Sequence, residues 1–314
     1  MLAEAQVRAE LAKIRRSTTR PIQVNFFCHR SPETQAEREM QWRERLAGFY
    51  AEFGLDRNAR TPGVKRAPFD AAMCEAVEEC RPEVVSFHFG LPERGLLERV
   101  RATGAKVFAS ATTVDEAHWL DAEGCDAIIA QGFEAGGHRG MFLSHDVSRQ
   151  VGTMALVPQV ADAVRVPVVA AGGIADGRGI AAAMALGAAA VQIGTAYLLC
   201  PEATVSAFHR EALRRTKDDG TAITNVFTGR PARGFVNRAV REIGPMSELA
   251  PEFPLAAIAM APLRASAEAR GSGDFSPMWA GQAAALTRQA GAGEVTRRLA
   301  GETLERLRWL GARR

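Results

Sequence analysis

The residue best placed to do chemistry is His138, in the run QGFEAGGHRG over residues 131–140. The apolar segment AIIAQG (127–132) predicts a strand, so this histidine follows a strand's carboxyl end with little side-chain bulk around it. Imidazole titrates near neutral pH and can act as a base, an acid or a hydrogen-bond donor. The alternative is a structural role, which we favour for the other five histidines: His29, His88, His118, His145 and His209. Of these, His88 also lies on a predicted strand, near the site.

Two glycine turns could bind a phosphate group. Gly172-Gly173 directly follows the apolar run PVVAA, and Gly194-Thr195 ends the run AVQIG. Backbone N–H groups at glycine turns and helix N-termini point at an anion, and the absent side chains allow close approach. Any strand-to-helix turn favours glycine, so one turn alone is weak evidence. Two of them on successive predicted strands favour a phosphate site.

Three polar residues stand at the ends of otherwise apolar strands. Asn25 ends PIQVNFF, where its amide could bond a planar heterocycle, although asparagine at a strand end is more often turn chemistry. Gln131 and Gln192 lie in similar positions. A polar group in apolar surroundings needs a partner, and a ligand is one candidate.

Other chemistries have little support. His138 and His145 are seven residues apart without a carboxylate cluster, so we predict no metal site. The sequence has neither the GxSxG motif of a serine hydrolase nor GxGxxG after a first strand. Its 39 basic and 36 acidic residues are interspersed and leave a net charge of +3, so nucleic acid is not an expected partner.

Composition indicates a soluble globular protein. The 314 residues are 47% hydrophobic and 24% charged, enough for one large core. Five cysteines form no CxxC pair, which predicts reduced thiols. The charged N-terminal stretch is not a secretory signal, and no apolar run reaches the roughly 18–20 residues of a membrane span. We therefore expect a cytoplasmic protein without a membrane partner.

Apolar runs alternate with amphipathic helical stretches, as in a parallel sheet with crossover helices. The pattern predicts a TIM-type β/α barrel of the α/β class, in which chemistry lies at the carboxyl ends of the strands. There are six β/α units instead of eight, and the chain opens on a helix, as though the first two strands were missing. The predicted strands are 21–27, 84–90, 106–111, 127–132, 167–173 and 190–198.

The domain prediction has three parts. Residues 1–199 form the barrel that carries the site, 200–275 an inserted cap or small domain, and 276–314 a C-terminal helix that packs back on the barrel. Two helices have predicted buried faces. The first buries Val7, Leu11 and Ile14, and a single helix over 33–53 buries Met40, Leu46, Phe49 and Phe53.

Several motifs, in order, resemble the bacterial nitronate monooxygenases, formerly called 2-nitropropane dioxygenases. They run over nearly the whole chain: AIIAQGFEAGGHRG, LVPQV, VPVVAAGGIADGRG, AAAVQIGTAYL, TNVFTGRPARG and MWAGQ. The resemblance implies an FMN-dependent oxidation of alkyl nitronates, such as propionate 3-nitronate, by O₂ to a carbonyl compound and nitrite. His138 takes the family's catalytic position, either protonated to bind the anionic nitronate or neutral to deprotonate a nitroalkane.

The resemblance also implies which residues contact FMN: Asn25, Gln131, Gly136, Gln159, Gly172, Gly173, Gln192, Ile193, Gly194 and Thr195. Two features depart from the family pattern. Family members begin with a strand that ends in a Pro-Met turn and a second strand that ends in a glycine-rich turn. This sequence has no counterpart of either strand, and we expect that segment to have been lost upstream of Met1. Ser110 stands where some members carry a lysine near the flavin, which leaves substrate preference open.

Two alternative functions remain. One keeps the barrel and FMN but uses NAD(P)H, as in flavin-dependent enoyl-ACP reductases or quinone reductases. The other is an inactive, truncated flavin binder. A homodimer is also left open. Arg230 and Arg233 are either solvated or belong to a lid whose guanidinium groups meet a substrate carboxylate or the flavin phosphate.

Overall fold

A six-stranded parallel sheet forms the centre of the fold. We describe a computed structural model that covers residues 2–33, 35–59 and 66–312. The strands of the sheet, in spatial order, are β1 (Gln23–Phe27), β2 (Val84–His88), β3 (Lys106–Ala111), β4 (Ala127–Gln131), β6 (Val168–Ala171) and β7 (Ala190–Gln192). Each of the six runs that the sequence predicted as a strand is a strand of this sheet.

The sheet is a TIM-like half-barrel. In the described part of the chain β1 and β7 are its two edges and do not pair with each other. Strands β2 to β4 are buried on both faces, because helices cover the outside and side chains fill the inside. The prediction of a TIM-type barrel is therefore confirmed in its class and in its six strands. The observed sheet is open.

Seven helices lie against the sheet and show why its strands are apolar on both faces. They are α1 (Glu4–Ser17), α4 (Ala71–Cys80), α5 (Arg94–Ala102), α6 (Val114–Ala122), α7 (Thr153–Ala163), α8 (Gly177–Ala185) and α12 (Ala292–Gly311). In α1, Val7 and Leu11 join the main core as predicted, whereas Ile14 is 40% exposed. The predicted stripe on α1 was thus one turn too long.

A second hydrophobic cluster lies beyond the sheet. It combines α2 (Ala36–Arg45) and α3 (Ala47–Phe53) with α10 (Arg238–Ile243) and α11 (Ala256–Ala269). Trp42 Nε1 donates to the carbonyl of Ala256 at 3.2 Å, and the Tyr50 hydroxyl donates to that of Ala259 at 2.6 Å. The predicted division into barrel, cap and C-terminal helix stays a prediction, and this cluster shows that early helices pack with the later region.

The helix predicted over 33–53 is wrong as one continuous element, because the chain breaks between α2 and α3 at Leu46. The buried residues Trp42, Leu46 and Phe49 nevertheless keep helical spacing across the break. Leu46 and Phe49 are buried as predicted, and Phe53 packs at the edge of the second cluster. Met40 was predicted to be buried and is 64% exposed.

A small antiparallel sheet covers the carboxyl ends of the parallel strands. It has the order β5 (Gly137–His138), β9 (Ala232–Phe235) and β8 (Thr221–Thr224). His138 pairs with Ala232 in this sheet. A further helix, α9 (Ala207–Arg215), precedes β8. The small sheet therefore fixes the backbone of the predicted catalytic histidine against the loop between β8 and β9.

A cavity of about 720 Å³ opens beside β7, between α8 and α12, with Gln23 and Phe108 also in its wall. Its lining is mostly apolar and carries no converging charged groups. We therefore assign the chemistry to a second cavity, at the carboxyl ends of the parallel strands. Within the described residues, no helix is both long enough and apolar enough to cross a membrane.

Candidate active site

A cavity of about 430 Å³ lies where the parallel strands meet the small sheet. Its size falls within the usual range for small-molecule sites, about 300–1,000 Å³. Every predicted site residue except Gln159 lines it, so the structure brings together residues from four strand ends: Asn25, Gln131, Gly136, His138, Gly172, Gly173, Gln192, Ile193, Gly194 and Thr195.

Gln159 does not reach this cavity. It is exposed on α7, and its side-chain amide donates to the carbonyl of Ala155 at 2.7 Å in the same helix. The motif LVPQV that contains it buries Leu156, Val157 and Val160 instead. The prediction that Gln159 contacts the cofactor is therefore wrong, because the helical periodicity of α7 turns this side chain outward.

The two glycine turns have the geometry of an anion site. Gly172 and Gly173 have φ values of +115° and +69°, which side chains other than glycine rarely adopt. A Cβ on Gly172 would also lie 2.9 Å from the backbone nitrogen of Ala135. Within the described ranges, the N–H groups of Gly173, Gly194 and Thr195 donate to no protein acceptor. These free donors at a cavity floor fit a phosphate group.

The polar side chains on the cavity wall differ in how many of their donors and acceptors are hydrogen-bonded within the protein. Asn25 Oδ1 accepts from the Ser86 hydroxyl at 2.8 Å, while its amide nitrogen donates to no group in the described chain. Gln131 is engaged at both ends, donating to the carbonyl of His138 at 3.0 Å and accepting from the N–H of Gly140 at 2.7 Å. Gln131 therefore positions the histidine loop, whereas Asn25 keeps a donor for a ligand.

His138 is buried among aromatic rings. The centroid of its ring lies 5.2 Å from that of Phe253, 5.3 Å from Trp279 and 5.9 Å from Phe27. Its Nε2 is 3.0 Å from the hydroxyl of Thr228. Burial lowers the pKa of His138 well below its usual value of 6.5. At neutral pH the ring is therefore neutral, which favours the base among the two roles that the sequence left open.

The charges around His138 are positive. After burial, His88 and then Arg66, Arg230 and His29 lower the pKa of His138 further. At neutral pH the positive charge comes from Arg66 and Arg230, and no carboxylate of the described chain raises this pKa. The Arg230 guanidinium stacks 3.8 Å over the Phe89 ring, and its Nε is buried without a hydrogen-bond partner among the described residues. A buried, unpartnered cationic donor beside a neutral base is suited to an anionic ligand.

Arg230 and Arg233, predicted together, have different environments. Arg233 stacks over Phe133 and donates to its carbonyl at 3.0 Å, which ties β9 to the histidine loop. Arg139 is fully buried and donates to the carbonyls of Gln131 and Gly132, both at 2.9 Å. These two arginines hold the loop. Only Arg230 of the predicted pair stands next to His138.

His88 is buried beneath the histidine loop, at the wall of the cavity. Its Nε2 donates to the carbonyl of His138 at 3.0 Å, and its Nδ1 accepts from the Ser110 hydroxyl at 3.0 Å. Ser110 therefore orients His88. Burial lowers the pKa of His88 to about 4. The neutral form is stabilised, and His88 supports the loop as a hydrogen-bond donor.

The lowered pKa of His88 predicts acid sensitivity of the fold. Below pH 6.5 the unfolded chain protonates this histidine while the folded chain does not, so stability is lost as pH falls from 6.5 towards 4. We expect His88→Gln to reduce the slope of unfolding free energy against pH by about 1.4 kcal/mol per pH unit in this window. Urea unfolding at several pH values measures it; an unchanged slope would show that His88 is protonated in the fold.

The structure adds residues that sequence reasoning missed. Thr228, Phe253 and Trp279 surround His138, and Arg66 contributes charge. Thr228 and Trp279 lie within the motifs TNVFTGRPARG and MWAGQ, which were quoted for the resemblance without a role for these positions. Phe253 and Arg66 carry no local signal, because they reach the site only through the packing of distant segments.

Comparisons with known proteins agree on one family. The profile of the nitronate monooxygenase family matches residues 2–302. A nitronate monooxygenase of Pseudomonas aeruginosa is 43% identical over 297 residues, which cover 94% of this chain and 85% of the relative. One from Paraburkholderia phytofirmans is 39% identical over 307 residues, 96% of this chain and 84% of that relative.

Solved structures show the same fold. Nitroalkane oxidase from Streptomyces ansochromogenes superposes with a TM-score of 0.87 at 37% identity, over 98% of this chain and 87% of that one. FabK from Thermotoga maritima superposes with a TM-score of 0.72 at 26% identity, over 100% of this chain and 85% of that one.

Proposed function

The chain belongs to the nitronate monooxygenase family of flavin-dependent oxidoreductases, and we propose that it uses FMN to oxidise alkyl nitronates with O₂ to a carbonyl compound and nitrite. The observation that carries the proposal is the pairing of two features in one cavity: glycine turns with free N–H groups, and a neutral His138 surrounded by positive charge. The first suits a phosphate and the second an anionic substrate.

FMN fits the cavity by the chemistry of its wall. Gly173, Gly194 and Thr195 would hold the phosphate with backbone donors, and a Cβ on Gly194 would point into open space, where a ligand has room. Asn25 and Gln192 would meet the ring system from the edge strands. When bound, FMN supplies the redox chemistry, while the protein binds the substrate, orients it and moves protons.

Arg230 is proposed to bind the anionic substrate. Its Nε has no hydrogen-bond partner among the described residues, and its remaining hydrogen bond goes to the carbonyl of Met141. The Glu116 carboxylate raises the pKa of Arg230, but the guanidinium forms no ion pair with a carboxylate in the described chain. Burial lowers the pKa of Arg230 to about 10, so it stays protonated at neutral pH. A substrate with a second negative charge, such as propionate 3-nitronate, would gain most from this cation.

Replacing Arg230 by methionine is therefore expected to raise KM for propionate 3-nitronate by about tenfold or more, since a charged hydrogen bond is lost. Ethyl nitronate, which lacks the carboxylate, should change less. Steady-state kinetics with both substrates measure the difference. Arg238→Met is the matched control, because Arg238 also stacks on aromatic rings but pairs with Glu52 away from the cavity. Equal changes for the two nitronates would contradict the role of Arg230 in carboxylate binding.

One preparation tests the function against the alternatives. Protein loaded with FMN should release nitrite from propionate 3-nitronate and consume O₂. Rapid flavin reduction by NAD(P)H without O₂, with no nitrite formed from nitronates, would favour a reductase. FMN binding with neither reaction would identify an inactive flavin binder.

A further inference from the structure

The hydroxyl of Thr228 connects His138 to the backbone of Arg230. Thr228 Oγ1 lies 3.0 Å from His138 Nε2 and 3.3 Å from the carbonyl oxygen of Arg230. A hydroxyl has one proton to donate, and a carbonyl oxygen can only accept. When the Thr228 proton goes to Arg230, the hydrogen bond to His138 must therefore be donated by the ring, from Nε2–H.

The opposite arrangement, in which Thr228 donates its proton to His138, leaves an acceptor without a hydrogen bond. If Thr228 donated to Nε2, the Arg230 carbonyl would lose this donor, and no other donor from the described part of the chain reaches it. Thr228 itself is almost fully buried, so its hydroxyl needs both partners. The two hydrogen bonds coexist only with the proton of the neutral ring on Nε2.

The rest of the surroundings fix the backbone of His138 and confine its ring between aromatic side chains. The carbonyl of His138 accepts from Gln131 Nε2 and from His88 Nε2, both at 3.0 Å. Phe253 and Trp279 pack against the ring itself. The charged and titratable groups that face the ring are His88 on β2, His29 directly after β1, Arg66 shortly before α4 and Arg230 on the β8–β9 loop.

The other ring nitrogen remains free for chemistry. His138 Nδ1 makes no hydrogen bond with residues 2–33, 35–59 or 66–312, and it is not among the buried polar atoms that are closed off from solvent. His138 lines the cavity. In the neutral Nε2–H tautomer, Nδ1 carries a lone pair.

We propose that Thr228 is a positioning residue that holds His138 as the Nε2–H tautomer and so makes Nδ1 the base for neutral nitroalkanes. The inference rests on the proposed function for its substrate. In the step, the bond between hydrogen and the carbon next to the nitro group breaks, and the proton moves to Nδ1. The electron pair stays on the substrate, which becomes the nitronate, and the ring becomes an imidazolium.

The tautomer can be measured without turnover. In protein labelled with ¹⁵N-histidine, the His138 ring signals are assigned by their loss in His138→Gln. We expect a protonated Nε2 and an unprotonated Nδ1 in the unsubstituted protein. In Thr228→Val, which keeps the shape but removes the hydroxyl, we expect a mixture of tautomers, and Thr228→Ser should restore the original state. A protonated Nδ1 in the unsubstituted protein would overturn the inference, even if Thr228→Val failed to fold.

Kinetics provide the second test. Thr228→Val should lower kcat/KM for nitroethane by about tenfold, the effect of one lost orienting hydrogen bond. Ethyl nitronate, which needs no deprotonation, should be affected less, and Thr228→Ser should recover most of the rate. Equal losses with both substrates would contradict a role in orienting the base. If the tautomer is as expected but no nitrite is formed by the unsubstituted protein, the proposed function fails and the assignment of Thr228 stands.

Discussion

His138→Ala is expected to lower kcat/KM for nitroethane by about 10²–10⁴-fold, the usual contribution of a general base. The ring is neutral because burial and the charges of Arg66 and Arg230 lower its pKa, so it can accept the proton of a nitroalkane. Ethyl nitronate has already lost that proton, and its turnover should fall much less. Nitrite release from the two substrates, measured side by side, gives the ratio.

The pH profile adds a second readout to this prediction. Because the pKa of His138 lies below 6.5, nitroethane turnover should persist as pH falls through 6.5 and decline only when the lowered pKa is reached. His118→Ala is the matched control, since His118 is exposed on α6, outside the cavity. Equal losses with nitroethane and ethyl nitronate would contradict the role of base and would indicate substrate binding instead.

Gly194→Ala is expected to weaken FMN binding by roughly tenfold to a hundredfold, because the added methyl group would push the phosphate away from a backbone donor and a charge-assisted hydrogen bond contributes about 1.5–3 kcal/mol. The added Cβ meets no protein atom within 4 Å, and φ of −107° is accessible to alanine. The fold should therefore be unaffected, and the methyl group should obstruct only the ligand. Flavin fluorescence titration measures the change in dissociation constant.

The control for Gly194 is another glycine with open space around its Cβ. Gly301 lies in α12, away from the cavity, and also meets nothing within 4 Å. Gly301→Ala should keep full FMN affinity and add slightly to stability, by about 0.5–1 kcal/mol in a helix interior. If Gly194→Ala bound FMN as tightly as Gly301→Ala, the phosphate would have to lie elsewhere.

The parts of the fold with a strong local pattern in the sequence lie where that pattern predicts. Buried parallel strands are continuous apolar runs, and the six runs are the six strands of the sheet. The strand ends of such a sheet share one edge, so placing His138 and the glycine turns at strand ends was enough to bring them into one cavity. The class of the fold and most of the candidate cavity could therefore be predicted.

The predictions that are wrong concern side chains whose burial depends on helical periodicity or on tertiary packing. Gln159 was assigned from a motif, and its helical phase turns it to the surface. Met40 was assigned to the buried face, but it lies two residues before buried Trp42, on the opposite side of α2. Thr228 could not be given a role, because its hydrogen bond to His138 joins residues 90 positions apart. Pairing of β5 with β9 creates that contact, and neither short strand has a strong signal of its own.

The most direct test of the proposed function combines two quantities in one reaction. Protein loaded with FMN is mixed with propionate 3-nitronate, and nitrite release and O₂ consumption are followed together. We predict nitrite formation coupled to O₂ consumption, and weaker substrate binding in Arg230→Met. Absence of nitrite from protein that is folded and saturated with FMN would contradict the proposal that this cavity oxidises nitronates.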